Sequence, residues 1–280
     1  MILAIDMGNS NIVIGGIDSF GTYFLERITT HTTRTELEYS MYIKGILDIH
    51  SVKLSDIEGA ILSSVVPPLN EVIQNAVKKI TGVDCMLVES GMKTGLNILM
   101  DNPKAVGSDL IVDAVAAMNE YPLPLAIIDM GTATTISVVD SNGNYIGGII
   151  HPGLRISLDT LSSKTAQLPH VNLDIPKKVI AKNTVDSMRS GILFGHAGMM
   201  DGIISRMEEE LGEKLNVVVT GGLAPFVAPL PAHFAAFVII HVLAISQPAF
   251  IRVARAYFAA FVVVGENTLA PIRFICASLL

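Results

Sequence analysis

Residues 125–140 read LAIIDMGTATTISVVD. An apolar run ends on Asp129, a turn with one glycine and several hydroxyls follows, and β-branched residues resume. Residues 2–18, ILAIDMGNSNIVIGGID, do almost the same around Asp6. Each run is short, β-branched and bounded by Gly, Asn or Thr, so each reads as strand, tight turn, strand. The phrase Ile-Asp-Met-Gly returns after 123 positions, and helical patterns follow the strands in both halves. That order predicts a duplicated α/β unit.

Outward from the first hairpin, residues 27–51 read as a third strand followed by a helix, with Leu37, Met41 and Ile46 expected to point inward. Residues 59–82 give a buried strand, a Pro-Pro stop and an amphipathic helix. Residues 101–121 are a loop running into a helix, with Ser108 as its expected N-cap. After the second hairpin, the turn SNGN joins two strand-like runs. Residues 154–215 read mostly as helices, and LNVVVTGGLA is a strand running into Gly221 and Gly222. The boundary between the halves is placed at NEYPLP, giving domains 1–120 and 121–280.

With 280 residues, half of them hydrophobic, the chain can build one or two cores. Its net charge of −7, with both signs interspersed, argues against a nucleic-acid face, which needs clustered Lys and Arg. Two cysteines without CxxC spacing imply neither a disulfide scaffold nor a zinc site, and a reducing, cytoplasmic setting is expected. The start of the chain has no basic region of the secretory type. His31, His50, His151, His170 and His196 are scattered and lack metal-ligand spacing. Residues 226–280 differ from the rest, with three Arg, one Glu, no Lys and no Asp. Their best apolar window, 232–251, contains two His, Gln247 and Pro248. It is read as a buried helical segment rather than a membrane span. The break in composition also fits a stretch foreign to the rest of the chain.

Two such hairpins facing each other would grip the phosphates of a nucleotide. Gly8 and Gly131 allow close backbone approach, and turn N–H groups can point at one anion. Asn9, Ser10 and Asn11 add polar side chains to the first turn, and Thr132, Thr134 and Thr135 add hydroxyls to the second. The carboxylates of Asp6 and Asp129 would repel phosphate unless a cation lay between, so both are candidate metal-site residues. Thr220-Gly221-Gly222 after a strand suits a ring or ribose. Asp109, in the first turn of a helix, could accept the proton of a substrate hydroxyl during phosphoryl transfer. No GxxxxGK[ST] string occurs, so this is not a P-loop.

The ordered segments Asp6–Asn11, Asn102–Asp109, Asp129–Thr135, Gly147–Gly153, Lys182–Gly191 and Thr220–Ala224 resemble those of type III pantothenate kinases. The resemblance spans residues 1 to about 227. It implies duplicated ribonuclease-H-like domains of the actin-like ATPase type, with a nucleotide cleft between them. It also implies ATP-dependent phosphorylation of pantothenate, the first step of coenzyme A synthesis. By motif position, Asp6, Met7, Gly8, Asn9, Ser10, Asn11, Ile12 and Val13 would hold ATP, with Thr132, and Asp109 would be the proton acceptor. Gly107, Ser108, Asp109 and Leu110 would line the pantothenate site, with Met100 nearby and Thr184 reaching it across a homodimer interface. Asp129 would bind a monovalent cation, potassium or ammonium, and Mg²⁺ would accompany ATP at Asp6. Two positions depart from the family pattern: Leu110 stands where Arg is usual, and Met100 where Tyr is usual. These departures motivate two alternatives: a kinase for another small hydroxy acid, or a nucleotide-binding regulator with impaired catalysis. The tail after residue 227 does not read like the family's C-terminal strand and helix.

Overall fold

The structure, a computed structural model, describes residues 1–18, 21–227, 236–244 and 258–266. The chain forms two compact units whose long segments are Met1–Asn119 and Glu120–His241.

The first unit opens with three strands, β1 (Ile2–Met7), β2 (Asn11–Asp18) and β3 (Gly21–Thr29). Helix α1 (Glu36–Ile49), β4 (Gly59–Ser64), α2 (Asn70–Thr81), β5 (Cys85–Leu87), the two-residue β6 (Asn97–Ile98) and α3 (Ser108–Glu120) follow. Its sheet has the order β3-β2-β1-β4-β5. Strand β1 runs antiparallel to β2 and parallel to β4. Side chains alternate across a strand, so β1 divides its residues between two faces. Leu3, Ile5 and Met7 pack with Ile12, Ile14, Ala60 and Leu62 against Tyr39, Ile43 and Leu47 of α1 and Ile73 and Val77 of α2. Ala4 and Ile61, on the other face, meet Val112 of α3. Asp6 shares that second face with Ala4, which places its carboxylate on the α3 side.

Helix α1 corrects the sequence reading. Ile46 is buried, but Leu37 and Met41 are 58% and 67% exposed. Two apolar stripes compete on this helix. The set Tyr39, Ile43, Ile46 and Leu47 has the i, i+4, i+7, i+8 spacing of a broad buried face, and it wins over the narrower Leu37–Met41 pair. A capping box fixes the start of α1: the Thr35 hydroxyl accepts from Glu38 N–H, and the Glu38 carboxylate accepts from Thr35 N–H.

The second unit repeats the plan with β7 (Leu125–Met130), β8 (Ala133–Val139) and β9 (Asn144–Pro152). Helices α4 (Leu154–Lys164) and α5 (Thr184–Leu211), β10 (Asn216–Thr220), α6 (Ala224–Val227), β11 (Ala236–Ala244) and β12 (Phe258–Glu266) come next. Strands β11-β10-β7-β8-β9 lie side by side, with β7 antiparallel to β8 and parallel to β10. This is the order and polarity of β5-β4-β1-β2-β3, so the duplication read from the two Asp-Met-Gly phrases is a duplication of sheets. Ile128, Met130, Ile136 and Val219 form one face, covered by Leu154 and Leu158 of α4 and Leu193, Ala197 and Met200 of α5. Residues 236–244 were expected within a buried helical segment; they are instead a strand parallel to β10. Their run AFVIIHVLA is short and β-branched, and such a run is compatible with either element until a neighbouring strand supplies hydrogen-bond partners. The remainder of the 232–251 window lies outside the described residues. Among the described residues no helix is long and apolar enough to cross a membrane.

Candidate active site

In the first unit the site grows from the parallel pairing of β1 with β4, which sets Asp6 beside Ser63. The Ser63 hydroxyl hydrogen-bonds the Asp6 carboxylate. One residue on, the Ser64 N–H donates to Ser108 Oγ at 2.8 Å, and Ser108 Oγ–H donates back to the Ser64 carbonyl at 2.8 Å. Ser63 Oγ also lies 3.3 Å from Ser108 Oγ. The expected N-cap role of Ser108 is therefore corrected. Its hydroxyl is engaged with the end of β4, because β4 stops with an unpaired peptide facing it, and the hydroxyl fastens α3 to the sheet. Asp109 takes the helix N–H instead, with Leu110 N–H donating to its Oδ1 at 2.8 Å.

Asp109 and Asp6 thus meet at one end of this sheet. Burial raises the pKa of Asp6 to about 6, and the nearby Asp109 charge adds to the rise, against a lowering by the Ser63 hydrogen bond and Arg27. Burial likewise pushes Asp109 upward, opposed by the N–H of Leu110 and its own N–H. Desolvation and like charge act together, as at sites built for proton transfer or cation binding.

The turn after β1 is closed by Gly8 N–H to the Asn11 carbonyl at 2.9 Å, and Thr30 Oγ1–H donates to the Gly8 carbonyl at 2.7 Å. Asn9, Ser10 and Asn11 are exposed on it. Met7 and Ile12 are fully buried in the core, so only their backbone could meet a ligand, whereas Val13 stands opposite Asp6 on the α3 side. Gly107 adjoins Asp109, and Met100 is exposed at the surface. A cavity of about 290 Å³ lies beside α3, with Met92, Leu96, Ile98 and Ile111 on its apolar wall and Glu89 and Lys104 on its polar one.

In the second unit, Asp129 pairs across the sheet with Thr220 of β10 on one side and Thr135 of β8 on the other. Gly131 N–H closes the β7–β8 turn on the Ala133 carbonyl at 3.0 Å, leaving Thr132 exposed. The chain after β10 folds over the end of β7: Leu223 N–H donates to the Met130 carbonyl at 3.1 Å. Gly221 sits at φ +94°, and a Cβ there would lie 2.5 Å from both Asp129 Oδ1 and Met130 N. Both its conformation and its contact with the Asp129 carboxylate exclude a side chain. Gly222 follows in the same turn. Thr184 is exposed in the first turn of α5, next to Asn183, whose side chain caps the helix through Asp186 N–H.

The sequence reading missed Ser63, although the Ser-Ser end of an otherwise apolar strand was a visible signal. It also gave no role to His196, which is buried and structural: its ring nitrogens lie 2.9 Å from the Ile192 carbonyl and 3.0 Å from the Pro152 carbonyl.

Comparison with known proteins places this arrangement. Residues 2–206 match the family model for type III pantothenate kinase. The chain belongs to the type III pantothenate kinase family. It is 44% identical to a type III pantothenate kinase of Exiguobacterium sp. (strain ATCC BAA-1283 / AT1b) over 81% of this chain and 89% of that protein. It is 41% identical to a type III pantothenate kinase of Bacillus cytotoxicus over 81% of this chain and 87% of that protein. Among solved structures, a Sinorhizobium meliloti protein proposed to be a 2-dehydro-3-deoxygalactonokinase superposes with a TM-score of 0.51 at 12% identity, covering 81% of this chain and 88% of that one. At that identity the likeness concerns the fold alone, an α/β architecture whose two mixed sheets repeat one strand order.

For this pantothenate kinase family member, two outcomes follow from the geometry. Asp6 is protonated in both folded and unfolded chains below its ordinary value of 3.8, and the folded chain must ionise it unfavourably as pH rises through about 6. Stability is therefore lost across that window, and Asp6→Asn removes the loss. At pH 7.5 the ligand-free Asn variant should melt about 2–4 °C higher than the parent, with no difference at pH 4; scanning calorimetry at both values checks this. Gly221→Ala should cost roughly 1–3 kcal/mol through its left-handed backbone and the displaced Asp129 carboxylate, read by urea unfolding.

Proposed function

We propose that the chain transfers the terminal phosphoryl group of ATP to the primary hydroxyl of pantothenate, opening coenzyme A synthesis in the cytoplasm. The observation that carries the reading is the position of Asp109 in the first turn of α3, close enough for its charge to act on Asp6 at the end of β1. Family membership supplies the substrates.

Asp109 accepts the hydroxyl proton as the phosphoryl group moves. Burial strengthens its hold on that proton, and the Leu110 N–H fixes its orientation. Such a transfer passes through a loose transition state, so positioning and charge neutralisation provide most of the acceleration. Residues 6–13 and Thr132 hold ATP, and Gly221 and Gly222 lie against its nucleoside. Asp6 fits an Mg²⁺–phosphate partner: its carboxylate is half-buried beside another carboxylate, an environment that a cation would relieve. Mg²⁺ bound there would neutralise charge on the phosphates. Asp129 holds the monovalent cation, potassium or ammonium. Gly107, Ser108 and Thr184 contact pantothenate, with Thr184 contributed across a homodimer.

Leu110 and Met100 favour a second reading, in which the acceptor is another small hydroxy acid. An Arg at position 110 would offer a forked donor to a carboxylate, and Leu offers none. Lys104, on the wall of the cavity that Ile111 also lines, is the cation this second reading assigns to an acceptor carboxylate.

A coupled ADP-release assay with pantothenate, with and without potassium or ammonium, tests the proposal; turnover only with a different hydroxy acid selects the second reading. Asp109→Asn should lower kcat by about 10²–10⁴, and undiminished turnover rejects the proton-acceptor role. Leu110→Arg should lower KM for pantothenate about tenfold and Lys104→Ala should raise it by a similar factor, with kcat little changed.

A further inference from the structure

The two units are copies, so they can be compared position by position. In the first, Asp6 has Ser63 as its neighbour on the parallel strand and Val13 as its neighbour on the antiparallel strand. In the second, Asp129 has Thr220 and Thr135 in the same two places. The parallel neighbour is a hydroxyl in both copies. The antiparallel neighbour is a hydrocarbon in the first and a hydroxyl in the second.

That hydroxyl is anomalous. Thr135 Oγ1 is buried and has no hydrogen-bond partner. Two positions along the same face, Ser137 Oγ and Tyr145 Oη lie 3.0 Å apart and satisfy each other, so they leave Thr135 alone. Thr134 Oγ1 also lacks a partner, but it is on the opposite face, among the side chains that α4 and α5 cover. A buried hydroxyl without a partner is disfavoured unless something absent from the free protein engages it. Directly paired residues of antiparallel strands hold their Cβ atoms about 4.5–5.5 Å apart on one face. The Thr135 oxygen and the Asp129 carboxylate therefore border the same small space. An anion there would be repelled by the carboxylate; a cation would be attracted to it and could also take a hydroxyl lone pair. Among the described residues no three His, Cys, Asp or Glu side chains are grouped for a metal, so a cation at Asp129 needs neutral oxygen ligands.

We propose that Thr135 Oγ1 is a ligand of the monovalent cation at Asp129, and that the Val-to-Thr difference between the two copies confines this cation to the second unit. The inference rests on the assignment of that cation to Asp129.

The test uses the full-length protein with Thr135→Val, which gives the second copy the first copy's residue, Thr135→Ser, which restores the oxygen, and Asp129→Asn. Two quantities are read: the potassium concentration for half-maximal activity, and binding of thallium(I), a potassium surrogate, followed without ATP by ²⁰⁵Tl NMR. Circular dichroism confirms folding. Thr135→Val should raise the half-maximal potassium concentration about tenfold and weaken thallium binding in parallel, with Thr135→Ser close to the parent. If Asp129→Asn abolishes the cation response while Thr135→Val leaves it intact, the Asp129 assignment stands and this inference is overturned. A rise confined to the KM for ATP in Thr135→Val, at unchanged thallium affinity, also overturns it, because the hydroxyl would then serve phosphate. A parent protein indifferent to potassium, ammonium and thallium overturns both.

Discussion

A carboxylate at the end of a buried strand, facing a second carboxylate, is the constraint on which the first unit's site depends. Asp6 cannot turn away, because its face is set by the alternation of β1 and its neighbour is fixed by the pairing with β4. Asp109 cannot drift, because Ser108 ties the start of α3 to the end of that same strand with two hydrogen bonds. Burial then raises the pKa of both acids, and the charge of Asp109 adds to the rise at Asp6. The free protein thus holds an electrostatic conflict that a cation or a proton would relieve, the physical basis of the roles proposed for these two acids.

Duplication explains why this arrangement recurs, and divergence explains why the copies need not do the same work. The turn after β1 spans residues 8–11 between the paired Met7 and Ile12; the turn after β7 spans only 131–133 between Met130 and Thr134. The first copy has an acidic helix start against its strand end. In the second, the Gly221 backbone closes over the corresponding end and leaves no room for a side chain beside Asp129. The two sheets share their strand order and the acid at the end of the first strand, while the surroundings of each acid differ.

What the sequence made legible was local. The two hairpins, the helix carrying Asp109 and the strand before Gly221 each announce themselves within a dozen residues, through alternation, turn residues and breakers. What it concealed was long-range or competitive. Ser63 reaches Asp6 only because β4 pairs with β1 across a helix and two strands, and nothing near residue 63 states that pairing. The Ser108 hydroxyl had two possible partners, the helix N–H and the peptide of Ser64, and only the tertiary structure decides between them. Leu37 and Met41 formed a plausible inner stripe until a broader one on the same helix met the sheet. Residues 236–244 were ambiguous for the same reason, since an apolar run takes the form its neighbour imposes.

Gly107 shows how tightly local geometry sets the position of Asp109. A Cβ at this position would lie 2.3 Å from Asp109 Oδ1, whereas its next contacts, at 3.5 and 3.8 Å, are ordinary. The atom that must yield is therefore the end of the Asp109 side chain, not the backbone of the loop or the helix. A side chain at 107 would swing the carboxylate off the Leu110 N–H while leaving the Ser108 tether and the packing of α3 in place. The glycine of the Asn-Pro-x-x-x-Gly-x-Asp segment thus leaves empty the space into which the Asp109 carboxylate, the proposed proton acceptor, curls.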